Sequence, residues 1–306
     1  APARLNGSAP PRGVEVRAEP RASAALADLL ADPPLPPDWF AQAGEHAALH
    51  IHAGSIDPKA AIARMLDGAE LLFEAPIETL ERAGDSWILR GPDGRARLKA
   101  DAVVLACGAE LARLASAAFL PIQISRGQIE WGEGAAPERA LMQGNYAAPF
   151  DGGILFGATF DRVGESASEA DDIASARARN LAALAQLAPE LAAAIDPTKL
   201  NSRAALRASM PDFAPVAGLA PDAPAWLAHF AGLAHGRPPE TSAPPPVHEG
   251  LYVLGGLGAR GLTLAPILGE RIAAEMFGEP QMLSQSVLDA LHPARFLLRA
   301  LKRGSG

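Results

Sequence analysis

The chain has 306 residues, 49% of them hydrophobic and only 5% aromatic, so it can bury a large core built mainly from small and aliphatic side chains. A formal net charge of −8 excludes a generally basic nucleic-acid binder and leaves room only for a local patch. One cysteine, Cys107, excludes an intrachain disulfide and fits a reducing, cytoplasmic setting, and no apolar run has the length of a membrane span.

Residues 1–12 are Pro/Ala/Gly-rich and predict a frayed start; the first residue is Ala1 rather than Met, which reads as a piece of a longer protein. Residues 13–18 alternate like a strand, and residues 21–31 read as a helix ending before a proline linker at 33–37. Residues 47–53 alternate again, with Leu49 and Ile51 on one face and His50 and His52 on the other. No further ligand cluster stands near these histidines, so they read as solvent-facing and no metal is expected. Asp57-Pro58 offers an N-cap and a proline at N1 for a helix over 59–66.

A meander of short strands follows at 70–74, 77–81, 86–90 and 96–99, with a Pro92-Asp93-Gly94-Arg95 turn. The unbroken apolar run Val103-Val104-Leu105 reads as a buried central strand ending at Gly108, followed by a helix over 109–118. Cys107 reads as a small buried residue. Strands are then expected at 122–131, interrupted by Arg126-Gly127, at 140–147 and at 153–160. A capping box, Ser168-x-x-Asp171, opens a long amphipathic helix to about Leu187, with a short helix from Pro189 and a strand over 201–209. Residues 220–246 form a Pro/Ala-rich excursion.

Leu251–Leu254 reads as a second buried parallel strand, followed by the turn Gly255-Gly256-Leu257-Gly258-Ala259-Arg260-Gly261 and a helix from Leu262 to about Phe277. Strand, glycine turn and helix in that order place free N–H groups and a positive helix end at one point, which suits an anion or an electron-rich ring edge. Gly256, Gly258 and Gly261 satisfy G-x-G-x-x-G. Even so, the stretch lacks the following βαβ unit and acidic residue of a dinucleotide fingerprint. The fold class expected is α/β (α+β), an incomplete Rossmann-like layer interleaved with an antiparallel sheet.

The segments VVLACGAE (103–110), ISRGQI (124–129), LFGATFDR (155–162), LRASMPDFAPVAG (206–218) and GLYVLGGLGARGLTLAPILGE (250–270) occur in this order. Together they resemble the amino-acid-oxidase (DAO) superfamily of FAD enzymes, which includes glycine and sarcosine oxidases. The tail LDALHPARFLLRALKRG (288–304) narrows the resemblance to FAD-dependent modules of bacterial tRNA wobble-uridine modification proteins, often fused behind a methyltransferase.

The resemblance implies FAD as cofactor and a glycine-oxidase-like arrangement. An N-terminal segment at 1–46 would belong to the substrate domain, and 47–118 would be the remaining part of the FAD-binding domain. The antiparallel substrate domain would span 119–249, the return to the FAD-binding domain 250–278, and a basic helical tail 279–306. It further implies that the glycine-rich pyrophosphate cradle, roughly a hundred residues of dinucleotide-binding layer, lies ahead of Ala1, so this chain alone is expected to hold FAD weakly.

The implied reaction removes the carboxymethyl group from 5-carboxymethylaminomethyl-2-thiouridine at the tRNA wobble position, giving the 5-aminomethyl form. Arg207 would hold the glycyl carboxylate as a planar bidentate donor, and Arg260 would stabilise charge developing on the flavin. A surface ion pair on a strand is the alternative for Arg207. Gly256, Gly258, Gly261 and Leu262 would lie against the flavin, Ala106 and Gly108 near the ribityl–phosphate portion, and the Ile77 backbone at the adenine.

Arg295, Arg299, Lys302 and Arg303 would contact tRNA phosphates, with Arg295, Arg299 and Lys302 on one helix face and Phe296 and Leu297 packed elsewhere; an ordinary solvated helix is the alternative. Two other functions stay open, oxidation of a free small amine such as glycine or sarcosine, and a non-catalytic remnant.

Overall fold

The computed structural model describes residues 12–18, 23–32, 36, 38–44, 46–162, 173–239, 243 and 245–303. The capping box Ser168–Asp171, the first eleven residues and most of the proline linker lie outside them.

The strands are β1 Arg12–Arg17, β2 Phe40–Gly44, β3 Ala47–Gly54, β4 Thr79–Ala83, β5 Ser86–Arg90, β6 Ala96–Ala100, β7 Val103–Leu105 and β8 Gln123–Glu133. They continue with β9 Ala140–Gln143, β10 Asn145–Phe150, β11 Gly153–Gly157, β12 Asp161–Arg162, β13 Asn201–Ser209, β14 Val216–Pro221 and β15 Val247–Gly255. The α-helices are α1 Ser23–Ala31, α2 Pro58–Met65, α3 Ile173–Leu187, α4 Pro189–Ala194, α5 Ala223–His229, α6 Gly261–Phe277, α7 Gln285–Leu291 and α8 Arg295–Lys302. The mixture of two parallel pairs, β7–β15 and β1–β9, with antiparallel pairing and helices is the α/β (α+β) class expected.

The chain divides into two compact units, residues 1–69 with 126–205, and residues 70–125 with 206–306. This displaces the expected boundaries. Residues 47–69 stay with the first unit because β3 is hydrogen-bonded to both β1 and β2. Residues 206–249 and the tail join the second, because β14 pairs with β15 and Phe296 is part of the same core as Leu251 and Val253.

In the first unit the large sheet runs β12-β8-β11-β10-β9-β1-β3-β2, with β13 paired to β8. Its apolar face (Leu141, Ala147, Ile154, Phe156) is covered by Leu184, Leu187 and Leu191 of α3 and α4. A second device fixes α3 to the sheet. Glu130, fully buried on β8, accepts from Gln128 Nε2 at 2.7 Å, Arg177 Nε at 3.1 Å, Asn180 Nδ2 at 3.3 Å and the Ser202 hydroxyl. A carboxylate removed from water needs that many donors, and Arg177 supplies the countercharge. Arg177 also donates to the Leu200 carbonyl at 2.9 Å, tying α3 to the start of β13.

In the second unit β14, β15 and β7 form a three-stranded sheet, and β4, β5 and β6 form an antiparallel meander. The turn between β5 and β6 follows from its residues: Asp93 accepts from Arg95 N–H at 3.1 Å, and Gly94 takes φ +72°. Trp87 anchors the meander by donating from Nε1 to the Glu249 carbonyl at 2.9 Å. The main core joins Trp87, Leu105, Leu111, Met210, Val253 and Phe296.

Several expectations change. Residues 70–74 form no strand, and Leu71, Leu72 and Phe73 are exposed, because no neighbouring strand among the described residues supplies ladder partners. Among the described residues β7 lies at the end of the β14-β15-β7 order, with Val104 41% exposed. The expected helix at 109–118 is two short 3-10 turns, Gly108–Arg113 and Ala115–Ala117. Cys107, at their start, is exposed.

β8 runs through Arg126-Gly127 without a break, since Gln128 N–H is satisfied by the Thr159 hydroxyl at 3.0 Å. The strand expected over 140–147 is divided at Gly144, which takes φ +69° and turns the chain into a β9–β10 hairpin. The excursion at 220–246 contains α5, capped by Asp222 accepting from Ala225 N–H at 3.1 Å. His50 packs edge-on to Phe40 and His52 to Trp39, and among the described residues no group of three or more His, Cys, Asp or Glu is arranged for a metal.

Candidate functional site

β7 and β15 are parallel, with Leu105 opposite Val253, so both strands deliver their carboxyl ends to one edge of the sheet. That edge is where open α/β sheets bind ligands. Ala106 and Gly108 leave β7 there; Gly255 and Gly256 leave β15. Leu111, completely buried in the turn after β7, locks the two exits together: a Cβ on Gly255 would sit 2.4 Å from its Cδ2. Gly108 takes φ +57° with open space where a side chain would point.

The glycine turn is held from its other side by the end of β13. Gly258 N–H donates to the Ala208 carbonyl at 2.7 Å, and Ser209 forms an isolated bridge with Leu257. Gly256 takes φ +70°, and a Cβ there would meet Met210 Cγ at 2.5 Å. Only glycine fits this position on both counts. Arg207, half-buried on β13, is one residue from the carbonyl that receives Gly258. The structure therefore brings Arg207, Gly256 and Gly258 into one neighbourhood.

α6 begins at Gly261 with Arg260 as N-cap and no side-chain cap. A 17-residue helix thus presents its N-terminal amides at the end of the glycine turn. Gly261 has open space at its Cβ position and Leu262 is exposed, so a planar group has access. The Arg260 guanidinium reaches back, Nη2 donating to the Phe213 carbonyl at 2.5 Å. Ile77 lies in the connection leading into β4.

The tail departs from its expected role. Arg295 is only 7% exposed and grips Asp212, Nε to Oδ2 at 3.0 Å and Nη2 to Oδ1 at 3.1 Å, while Nη2 also reaches the Ala214 carbonyl at 2.6 Å. Arg299 donates to the same carboxylate. Phe296 and Leu297 are buried in two different core clusters, and the Arg295 guanidinium lies over the Phe296 ring, 4.3 Å from its centroid. Two of the four expected phosphate ligands are thereby committed to an internal carboxylate; Lys302 and Arg303 are exposed. Burial of Asp212 opposes its ionisation, but hydrogen bonds from Arg295 and Arg299 outweigh this and hold its pKa at about 2.

Sequence reasoning missed Asp212, although it stands inside the segment LRASMPDFAPVAG. A lone Asp followed by Phe and Ala carries no sign of a partner 83 residues away.

The family described as FAD dependent oxidoreductase matches residues 13–275. The chain is 40% identical over 242 residues to the tRNA 5-methylaminomethyl-2-thiouridine biosynthesis bifunctional protein MnmC of Caulobacter sp. (strain K31), covering 78% of this chain and 35% of that protein. It is 34% identical over 270 residues to the MnmC of Ectopseudomonas mendocina (strain ymp), covering 83% of this chain and 40% of that one. The chain thus spans well under half the length of these curated relatives.

Among solved structures, an iminodiacetate oxidase from Chelativorans sp. BNC1 superposes with TM-score 0.67 at 23% identity, over 92% of this chain and 76% of that one. A glycine oxidase from Geobacillus kaustophilus gives TM-score 0.64 at 20% identity, over 91% and 74%. At these identities the likeness establishes the fold.

Proposed function

Because this chain belongs to the FAD-dependent oxidoreductase family, we propose that it carries the oxidative half of a tRNA modification, the removal of a carboxymethyl group from a 5-carboxymethylaminomethyl wobble uridine. The residues present suit a flavin. Gly256 and Gly258 bring bare backbone to the carboxyl end of β15, Gly261 leaves open space, and α6 offers uncapped amides. A bound flavin supplies the two-electron acceptor.

The substrate is in effect an N-substituted glycine. Its methylene carbon gives up a hydride and its nitrogen a proton, leaving a C=N bond; water adds to that carbon, and the C–N bond breaks to release glyoxylate and the aminomethyl uridine. Arg207 would hold the glycyl carboxylate with two parallel N–H bonds, fixing the methylene for transfer. Arg260 and the first amides of α6 would favour negative charge accumulating beside them. Gly256, Gly258, Gly261 and Leu262 would face the ring, Ala106 and Gly108 the ribityl–phosphate portion, and Ile77 the adenine.

The observation that carries this reading is the Gly258-to-Ala208 hydrogen bond, which joins the strand bearing Arg207 to the glycine turn. The test is Arg207→Lys in the full-length protein, since this chain alone is expected to hold FAD weakly. A point charge replaces the fork, so flavin retention should persist while glyoxylate release from the modified nucleoside falls at least tenfold. An unchanged rate removes Arg207 as the anchor.

A second reading, oxidation of a free small amine, gains from the commitment of Arg295 and Arg299 to Asp212, which halves the cations left for tRNA phosphates. Glycine or sarcosine turnover exceeding that of the modified nucleoside would favour it.

A further inference from the structure

Phe213 combines two properties that ordinarily exclude each other. Its φ of +57° lies in the left-handed region, which a bulky aromatic residue enters only at an energetic cost. The residue is 57% exposed, so burial of the ring returns little of that cost.

The surrounding bonds impose the conformation. Phe213 N–H donates to the Met210 carbonyl at 2.9 Å, and its own carbonyl receives Arg260 Nη2. On either side Asp212 and the Ala214 carbonyl are both held by Arg295. Asp212 also closes a local turn by accepting from Ala214 N–H at 3.2 Å. The result is an aromatic ring displayed on a rigid loop whose neighbour, Arg260, opens α6 beside the glycine turn. Glycine would occupy the same backbone conformation without strain. Strain maintained by surrounding contacts at an exposed residue is a mark of a functional position.

We propose that Phe213 is a stacking platform for a nucleobase, the pyrimidine ring of the substrate nucleotide. The proposal rests on the tRNA reading above and deepens it by naming the residue that engages the base rather than the glycyl tail. Unstacked bases in RNA loops are taken up on aromatic faces in this way, and a platform already fixed in place loses little freedom on binding. The backbone anchors explain why the ring needs no core of its own: the loop, not the side chain, holds it.

The test compares binding of two anticodon stem-loop RNAs, one with uridine at the wobble position and one abasic there, to the protein and to its Phe213→Leu, Phe213→Tyr and Phe213→Gly variants. The unaltered protein should prefer the uridine RNA by about 5- to 150-fold, the range of one base stacked on an aromatic ring. Phe213→Tyr should keep the preference and Phe213→Leu should lose it. Phe213→Gly should lose it with an unchanged or raised melting temperature, because the left-handed strain disappears. If Leu retains the full preference, or if Gly lowers the melting temperature while leaving the preference intact, Phe213 is a packing residue and the proposal fails alone. If the unaltered protein binds neither RNA, or binds both equally, stacking is overturned, and binding to neither removes the tRNA reading with it.

Discussion

Arg295 and Asp212 stand 83 residues apart and form a two-point clasp, with both nitrogen–oxygen distances near 3 Å and the arginine 93% withdrawn from solvent. The clasp fastens α8 to the loop that carries Phe213. Arg295→Gln should therefore destabilise the protein by about 2–3 kcal/mol, because Asp212 keeps only Arg299 while partly buried. Arg299→Gln, at a side chain 45% exposed, should cost no more than about 1 kcal/mol. Urea unfolding of the two variants checks the contrast.

Acid stability follows from the same carboxylate. The folded pKa of Asp212, about 2, lies below its usual 3.8, so the stabilisation is complete above about pH 4 and disappears as pH falls towards 2. The shift corresponds to about 2 kcal/mol. His292 acts at higher pH with the same sign. Burial lowers its pKa from 6.5, so the fold prefers the neutral ring and stability declines as pH drops below that value. Asp212→Asn should flatten the lower limb of a stability–pH curve and leave the His292 limb in place.

Glu130 should be the costliest single truncation in the first unit. Glu130→Ala removes the acceptor for four donors and strands the Arg177 guanidinium, at about 3–5 kcal/mol. Glu130→Gln keeps the shape but turns one acceptor into a donor facing donors, so it should recover only part of that loss. Hydrogen exchange in α3 is the readout, since its amides should lose protection before those of β14 and β15.

Three of the four glycines of the turn, Gly256, Gly258 and Gly261, should separate folding from flavin retention. Gly256→Ala combines a left-handed φ with a contact 2.5 Å from Met210 and should lower the melting temperature by several degrees. Gly258→Ala meets only ordinary contact, 3.6 Å from Ser209, and should show the conformational penalty alone, about 1 kcal/mol. Gly261→Ala has open space and an ordinary φ, so the fold should tolerate it. Loss of flavin absorbance from Gly261→Ala at an unchanged melting temperature would place its backbone against the cofactor.

Lys302→Gln with Arg303→Gln should reduce the salt dependence of tRNA affinity by a slope of at most about 2, since each cation neutralises one phosphate and releases about one counterion. Adding Arg299→Gln should bring little further change if its charge is spent on Asp212. A slope reduced by as much again would show that Arg299 exchanges its carboxylate for a phosphate.

Legibility in the sequence tracked how local each cause was. The Asp93–Gly94 turn, the Asp57 cap with Pro58 behind it, and the β15–turn–α6 succession are written in adjacent residues, and the fold contains all three. The strand expected at 70–74 has the right side chains, but a strand exists only through its neighbours, which no local pattern reveals. The stripe of Arg295 and Arg299 likewise has true helical spacing. What it faces was set by Asp212, far away in the chain, and a cation's spacing cannot distinguish a phosphate from an internal carboxylate. The glycine turn was legible as the break between β15 and α6; its dependence on Met210 and Ala208 was not.

Leu111 fills the volume that a side chain at position 255 would need, and Gly255 has no left-handed φ of its own to forbid one. The two positions therefore share a single allotment of space. In descendants of this chain a methyl group can be gained at 255 only where the residue at 111 has first become smaller, so the pair should drift together. Gly255→Ala alone should be poorly tolerated, and Leu111→Ala alone should leave a hole. Made together, they amount to a transfer of bulk from one strand exit to the other, a route by which the mouth of the sheet could be reshaped without passing through an unfolded ancestor.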